Sequence, residues 1–391
     1  MKSLRDIDLS GKCVLVRADF NVPMNDNKEI TDDNRIRMVL PTLRFILEQG
    51  GKLVICSHMG RPKGQKVADF SLAPVAVHLG KLLEKDVRFA PDCIGDEVVA
   101  LVSEMQAGEV LLLENLRFYK EETDNDPEFS AKLAALCDVY VNDAFAVSHR
   151  VHASVVGVAE RAREKCAGFL LSTEIDYFNR SMNNPIRPLV AIVGGAKVSS
   201  KLGALENMLG KVDSMIIGGA MANTFLKSKG MDVGASLVED DLLETATSFL
   251  QAAEDKGVKV YLPVDFVAAD SFSADAVSKN VPADSIPQKW MALDIGPAST
   301  ILFQEALEGA GTIVWNGPMG AFEMDKFAGG TMTLCRTVAK SQALSIIGGG
   351  DSNAAVKKSG ESQNISYMST GGGAFLRLME DNILPGVEAL K

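Results

Sequence analysis

The chain has 391 residues, of which 47% are hydrophobic, and its formal net charge is −11. The length exceeds one ordinary core and predicts two domains, and the negative charge argues against a nucleic-acid partner, because nothing would offset phosphate repulsion. No apolar run is long enough to span a membrane, the N-terminal stretch MKSLRDIDLS lacks an apolar signal core, and the six cysteines form no CxxC pair, so we expect a cytoplasmic protein with reduced thiols and no membrane partner.

Short apolar strands alternate with polar loops and helical stretches, which predicts an α/β fold with parallel sheets. The strands expected in the first half are Lys12–Arg17, Lys52–Cys56, Val110–Leu113 and Val139–Val141. Arg61, Arg117 and Arg150 stand in the loops that follow three of them. Because parallel strands end at one edge of a sheet, these guanidinium groups are expected to converge and to suit a small, multiply charged anion.

Glycine takes the place of arginine at the strand ends of the second half. The strands expected there are Leu189–Val193, Ser214–Ile217, Thr312–Trp315, Leu344–Ile347 and Ile365–Met368. Each of them is followed by glycine, either in a run such as NGPMG, GGGDS or STGGG or in a pair, Gly194-Gly195 or Gly218-Gly219. Gly-rich turns bring backbone N–H groups close to phosphate oxygens, so this half is expected to hold a nucleotide.

The first strand of the second half ends in Gly194-Gly195, and the residues that follow it are expected to begin a helix. Lys197 and Lys201 are four residues apart and would share one face of its first turns. A helix N-terminus with two lysines is suited to a polyphosphate; the alternative is a pair of solvated surface lysines.

The boundary between the halves is expected in Ala159–Pro188. This stretch is expected to form a long amphipathic helix that ends in the linker-like sequence NNPIRP. The chain contains no GxxxxGK[ST], GxGxxG, HExxH or GxSxG motif.

Nine motifs occur in a fixed order: RADFNVP, SHMGRP, ENLRF, NDAF…SHR, GGAKVSSK, GGAMANTF, VWNGPMGAFE, GGGDS and TGGGA. Together they closely resemble the phosphoglycerate kinase family over essentially the whole chain. The resemblance implies two lobes, each a Rossmann-like parallel sheet flanked by helices, joined by a helical hinge. The expected lobes are residues 1–170 and 189–373, the hinge is 171–188, and residues 374–391 are expected to pack back on the first lobe.

The resemblance also implies the reaction. A phosphoryl group would move reversibly between 1,3-bisphosphoglycerate and MgADP, giving 3-phosphoglycerate and MgATP, on a monomer. Both nucleophiles are already anions, a carboxylate in one direction and a β-phosphate in the other, so the site needs no general base. It needs charge neutralisation, in-line positioning and closure of the lobes by the hinge.

The site residues follow from the matching motifs. The implied phosphoglycerate contacts are Asp19, Asn21, Arg35, His58, Met59, Gly60, Arg61, Arg117 and Arg150. The implied nucleotide contacts are Lys197, Lys201, Gly219, Leu293, Asn316, Pro318, Glu323, Gly349, Gly350, Asp351 and Ser352. The implied catalytic groups are Arg35, Lys197, Gly350 and Gly373, and Asp351 would hold Mg²⁺. Ala292 stands where the family often has glycine, so its methyl is expected to narrow the base pocket.

Several residues near these motifs are expected to serve structure. Arg17 would pair with a carboxylate, and His149 and His152 would brace the hinge. Two other functions compete with the kinase. A non-catalytic nucleotide-binding protein of this fold would have lost a lysine, an arginine or Asp351, and none is lost; a dehydrogenase would carry the absent GxGxxG.

Overall fold

The computed structural model describes residues 2–391 and divides into two units. The first unit runs to Ile175 and includes Ile383–Lys391, and the second comprises Asp176–Asn382. Residues 374–382 therefore group with the second unit, whereas the sequence places the start of the returning segment at 374. The hinge over 171–188 stays a prediction. Within residues 2–391, no helix has the length and apolar character needed to cross a membrane.

The apolar runs of the first half form one six-stranded parallel sheet. Its strands are β1 (Cys13–Arg17), β2 (Lys52–Cys56), β3 (Val87–Phe89), β4 (Val110–Leu112), β5 (Val139–Asn142) and β6 (Glu164–Ala167). The order across the sheet is β3-β4-β2-β1-β5-β6. The helices are α1 (Asn34–Glu48), α2 (Ala73–Leu83), α3 (Asp96–Glu104), α4 (Lys120–Thr123), α5 (Pro127–Ala134), α6 (Val158–Arg161) and α7 (Phe169–Phe178), which crosses the boundary between the units.

Burial of the central strands holds this sheet together. Val14 and Val16 of β1 and Leu53 and Ile55 of β2 are fully buried in one apolar cluster, to which α1 and α2 also contribute. A fully buried Val, Leu or Ile side chain contributes roughly 1.5–3 kcal/mol. The loops at the carboxyl ends of β1, β2, β4 and β5 are therefore anchored on a rigid support.

The second unit contains a parallel sheet and a smaller antiparallel one. Its strands are β7 (Leu189–Val193), β8 (Ser214–Ile217), β9 (Lys259–Tyr261), β10 (Asp265–Ala269), β11 (Ser278–Pro282), β12 (Met291–Ile295), β13 (Thr312–Asn316), β14 (Leu344–Gly348) and β15 (Tyr367–Met368). The parallel sheet has the order β15-β14-β13-β7-β8-β9, and the antiparallel sheet has the order β11-β10-β12.

Seven helices belong wholly to the second unit, and one short helix returns to the first. The seven are α8 (Leu202–Met208), α9 (Met221–Ser228), α10 (Leu243–Asp255), α11 (Pro297–Leu307), α12 (Gly329–Lys340), α13 (Gly350–Ser359) and α14 (Gly372–Met379). The returning helix is α15 (Pro385–Glu388). Its Gly386 N–H donates to the Ser148 carbonyl at 2.9 Å, and the Asn142 side chain donates to the Gly386 carbonyl at 3.3 Å.

The predicted α/β fold with parallel sheets is confirmed in both units. The long helix expected in Ala159–Pro188 is wrong, because β6 interrupts it and pairs with β5 from Val139↔Glu164 to Asn142↔Ala167. This pairing uses the hydrogen-bonding edge that β5 would otherwise leave open. The antiparallel sheet was not anticipated.

Candidate active site

The loop after β1 and the start of α1 are joined by a carboxylate. Asp19 Oδ2 accepts from Arg35 Nη1 at 2.7 Å, and Asp19 Oδ1 accepts from the Asn21 N–H at 3.1 Å. The Asn21 side chain accepts from the Gly60 N–H at 2.9 Å. Asp19 Oδ1 also lies 3.9 Å from His58 Nδ1. Four predicted site residues thus form one group around Asp19.

Asn115 ties the loops after β2 and β4 together. Its side-chain oxygen accepts from the N–H groups of Met59 and Arg117, at 3.2 and 3.0 Å. Its amide donates to the carbonyls of Met59 and Phe70, at 2.8 and 2.9 Å. Arg117 Nη1 in turn donates to the Gly60 carbonyl at 2.8 Å. The sequence analysis did not single out Asn115, although it stands within the ENLRF motif.

Three predicted arginines converge on one cavity of about 350 Å³. The cavity is lined by Arg61, Lys63, Gly64, Arg117, Tyr119, Lys120, Thr123, Arg150 and His152. Lys63 and Lys120 were missed by the sequence analysis. Each follows a predicted arginine by two or three residues, and that spacing was the available signal. Five cationic side chains in one cavity are suited to an anion with several charges.

Burial, and after it repulsion among these cations, shifts the pKa values of groups in and beside the cavity. Burial, with Arg17 and Arg150 nearby, lowers the pKa of Arg117 to about 10. Burial and the guanidinium groups of Arg17 and Arg117 lower the pKa of His152 to about 3. The pKa of His58 is lowered well below its ordinary value, first by burial and then by Arg17. Both histidines are neutral at pH 7, so the arginines and lysines carry the positive charge.

The second unit has a cavity of about 370 Å³ with a largely apolar lining. Five predicted nucleotide residues line it: Gly219, Leu293, Pro318, Glu323 and Asp351. Leu237 and Phe272 also line it and were missed. Phe272 is 70% exposed, which is unusual for phenylalanine and marks a side chain available to a flat ligand. Ala292 lines the same cavity.

Close backbone contacts shape one wall of this cavity. A Cβ atom on Gly194 would lie 2.1 Å from the Pro318 carbonyl oxygen, and one on Gly317 would lie 2.1 Å from the Gly194 oxygen. Gly317 also has a φ of +99°, which favours glycine. The Gly195 N–H donates to the Pro318 carbonyl at 3.1 Å. The ends of β7 and β13 can approach this closely only because these positions have no side chain.

A chain of polar contacts connects the ends of β13 and β14. Lys201 Nζ donates to the Asn316 side-chain oxygen, and the Asn316 amide donates to the Gly348 carbonyl at 2.8 Å. Ser352 Oγ accepts from the Gly317 N–H at 2.7 Å, which leaves its own O–H as a donor. Burial lowers the pKa of Lys201 to about 8, and the neighbouring Asp351 acts in the opposite direction.

The expected helix at Lys197 and Lys201 is wrong. Residues 194–201 form a loop, and α8 begins only at Leu202. The Ser199 N–H and hydroxyl donate to the two carboxylate oxygens of Glu239, at 3.0 and 2.5 Å. Glu239, forty residues further along the chain, thus accepts hydrogen bonds from a backbone donor and a side-chain donor of this loop. Lys197 is exposed, and Lys201 turns towards Asn316.

Two helix N-termini meet beside this loop. Gly349 and Gly350 begin α13, and Gly372 and Gly373 begin α14. A Cβ atom on Gly372 would lie 3.1 Å from the Gly349 Cα and 3.5 Å from the Gly350 nitrogen. Helix N-termini carry free N–H groups and a partial positive charge, so their proximity favours an anion at this point. Asp351 stands in the first turn of α13 with an exposed side chain.

Comparisons with known proteins point to one family. Residues 4–382 match the family model described as phosphoglycerate kinase. Relatives named phosphoglycerate kinase from Desulfotalea psychrophila and Desulforapulum autotrophicum are 77% and 56% identical, over 100% of this chain and 100% of theirs. The solved phosphoglycerate kinase of Coxiella burnetii superposes with a TM-score of 0.91 at 43% identity, over 100% of this chain and 98% of that one.

The contact between β7 and β13 gives a test of the second-unit cavity. Gly194→Ala would force a methyl against the Pro318 carbonyl and is expected to lower the free energy of unfolding by about 1–3 kcal/mol. Gly210→Ala is the matched control, because the nearest atom to its Cβ would be 3.9 Å away. Urea unfolding followed by tryptophan fluorescence reports on this unit, which holds both Trp290 and Trp315. Equal stability of the two variants would contradict the close contact.

Proposed function

The chain belongs to the phosphoglycerate kinase family, and we propose that its phosphoryl transfer is carried out by two groups of residues, one on each unit. The activity is the family's reversible transfer between 1,3-bisphosphoglycerate and ADP, which gives 3-phosphoglycerate and ATP. A non-catalytic nucleotide-binding protein of the same fold is not favoured, since full-length relatives at 77% and 56% identity are named as the kinase.

The first unit binds phosphoglycerate. The observation that carries this proposal is the convergence of Arg61, Arg117 and Arg150 on one cavity. A guanidinium group can bind phosphate through two parallel N–H···O hydrogen bonds, and a small bisphosphate carries enough negative charge to offset several guanidinium groups. The group around Asp19, which contains Asn21, Arg35 and His58, binds the rest of the molecule. Met59 and Gly60 contribute the backbone that Asn115 and Asn21 hold in place.

The second unit binds the nucleotide. The apolar cavity lined by Leu293 and Phe272 takes the base, and Glu323, exposed at its edge, hydrogen-bonds the ribose. The remaining proposed contacts, which surround the phosphates or connect to them, are Lys197, Lys201, Gly219, Asn316, Pro318, Gly349, Gly350 and Ser352. Two observations support these contacts: the N-termini of α13 and α14 lie close to each other, and glycines form one wall of the cavity.

Mg²⁺ enters with the nucleotide. Within residues 2–391, no group of three or more His, Cys, Asp and Glu side chains is placed to hold a metal ion. Asp351 is one of two exposed carboxylates that line the nucleotide cavity, the other being Glu323, and a single carboxylate ligand fits an ion that is held mainly by phosphate oxygens and water. When bound, Mg²⁺ offsets phosphate charge.

The catalytic groups neutralise charge and orient the reacting atoms. Arg35 acts from the first unit, and Lys197 acts from the second together with the N–H groups at Gly350 and Gly373. No general base is required, because the attacking oxygen is already an anion. The carboxylate of Asp19 holds the Arg35 guanidinium at 2.7 Å and so limits its orientations.

Transfer requires the attacking oxygen and the phosphorus of the transferred group to come within roughly 3–3.5 Å of each other. Because the two proposed half-sites belong to different units, residues 171–188 act as the hinge that permits this. We further propose a monomer in the cytoplasm, a setting that suits six free cysteines.

Steady-state turnover tests the function directly. The enzyme is given 3-phosphoglycerate and ATP with Mg²⁺, with formation of 1,3-bisphosphoglycerate coupled to its reduction, and the control omits Mg²⁺. Turnover that depends on Mg²⁺ is expected. Binding of ADP without any turnover would contradict the kinase activity and would favour the alternative of a non-catalytic nucleotide-binding protein.

Arg61→Ala tests the assignment of the substrates to the units. Loss of a charge-assisted hydrogen bond of about 1.5–3 kcal/mol is expected to raise KM for 3-phosphoglycerate by about 10- to 100-fold and to leave KM for ATP nearly unchanged. Arg163→Ala is the control, since Arg163 is an exposed arginine of the same unit outside the cavity. Equal losses for both substrates would contradict the assignment.

The low pKa of Lys201 predicts a pH-dependent affinity for ADP. Phosphate binds the protonated amine, so above pH 8 the enzyme must take up a proton, and affinity is expected to fall by up to about tenfold per pH unit. Lys201→Arg stays charged and is expected to flatten this dependence between pH 7.5 and 9.5. Calorimetric titration in buffers of different ionisation enthalpy measures affinity and proton uptake together. If the affinity of the arginine variant for ADP fell equally steeply with pH, another titrating group would be responsible.

A further inference from the structure

Arg17, the last residue of β1, is completely buried beneath the first-unit site. Its guanidinium has three separate partners. Nε donates to Ser154 Oγ at 2.8 Å, Nη1 donates to the Ala18 carbonyl, and Nη2 lies 3.3 Å from His58 Nδ1. The first two contacts fix the plane of the guanidinium, so the third is directed at one edge of the His58 ring.

A buried carboxylate compensates for the buried charge of Arg17. Glu122 in α4 is fully buried, and its two oxygens accept from the Ser154 N–H at 2.9 Å and the Ser154 hydroxyl at 2.6 Å. The hydroxyl has one proton, which goes to Glu122, and its oxygen therefore offers a lone pair to Arg17. The contacts run in one direction, from Arg17 through Ser154 to Glu122.

The contact with Arg17 decides where His58 carries its proton. A guanidinium donates hydrogen bonds and never accepts them. Nδ1 of His58 must therefore present a lone pair to Arg17, and the single N–H of the neutral ring lies at Nε2. Asp19 Oδ1 is 3.9 Å from the same Nδ1, which is too far for a hydrogen bond that would hold a proton there.

We propose that Arg17 is a positioning residue that fixes His58 as its Nε2–H tautomer, and that Glu122 holds Arg17 in place through Ser154. The ring then offers an N–H donor, at a fixed angle, to an anionic oxygen of the substrate. The other tautomer would turn a lone pair towards that oxygen and repel it. The consequence for turnover rests on the phosphoglycerate site proposed above; the tautomer itself does not.

Nuclear magnetic resonance of the free enzyme tests the tautomer without substrate. The chain has four histidines, so selective ¹⁵N-histidine labelling gives a simple spectrum, and the His58 signals are those missing from His58→Gln. We expect an unprotonated Nδ1 and a protonated Nε2. A proton on Nδ1 would overturn the proposal whether or not the enzyme turns over.

Arg17→Met tests whether Arg17 is responsible. It is expected to give a mixture of the two tautomers at His58. The signals of His78, whose Nε2 lies 2.9 Å from Asp33 Oδ2 in another part of the unit, should stay unchanged as the internal control. A pure Nε2–H tautomer in a folded Arg17→Met variant would overturn the role of Arg17.

A pair of His58 variants keeps the test independent of whether a buried Arg17→Met variant folds. Glutamine places an amide N–H near the Nε2 position, and asparagine places one near Nδ1. His58→Gln is expected to keep KM for 3-phosphoglycerate within a few-fold, and His58→Asn to raise it by about tenfold or more. The reverse order would overturn the proposal, and kcat for both variants separates binding from the chemical step.

Discussion

Repulsion between guanidinium groups is the constraint on which the first unit depends. Burial lowers the pKa of Arg117, and Arg17 and Arg150 lower it further; burial and then all three guanidinium groups likewise lower the pKa of His152. Folding nevertheless brings these groups together, because buried parallel strands deliver the loops that carry them to one edge of the sheet. Glu122 and Asp19 offset part of the charge, and the neutral histidines add none. What is left is an excess of positive charge, which is suited to an anion.

In the second unit, close backbone contacts rather than cationic side chains shape the cavity. Gly194 and Gly317 allow the ends of β7 and β13 to approach at distances that no Cβ atom would tolerate, and Gly372 allows a close approach of the starts of α13 and α14. Free N–H groups, unlike guanidinium groups, carry little repulsion when they are gathered. The two units thus differ in chemistry: long cationic side chains line the cavity of the first, whereas close backbone contacts and a largely apolar lining shape the cavity of the second.

Local sequence failed where a distant residue decided the conformation. The segment that contains Lys197 has the composition of a helix start. However, the Ser199 N–H and hydroxyl donate hydrogen bonds to the distant Glu239, and α8 begins only at Leu202. Likewise, β6 has little of the apolar pattern of a strand, and it forms because β5 offers an unpaired edge. Lys63 and Lys120 also line the arginine cavity; their spacing from Arg61 and Arg117 hinted at this, but only the folded chain shows that both side chains reach the cavity.

The sequence by itself determined the α/β class, the strands such as Lys52–Cys56 and Leu189–Val193, the division into an arginine-rich and a glycine-rich half, and the family. These follow from local composition and from the order of the motifs, which tertiary contacts do not alter. Only the tertiary structure decided that Arg17 meets both Ser154 and His58, residues 137 and 41 positions away. Such contacts depend on which strand ends lie next to each other and on which polar groups are buried together. Neither can be inferred from the residues that flank any one position.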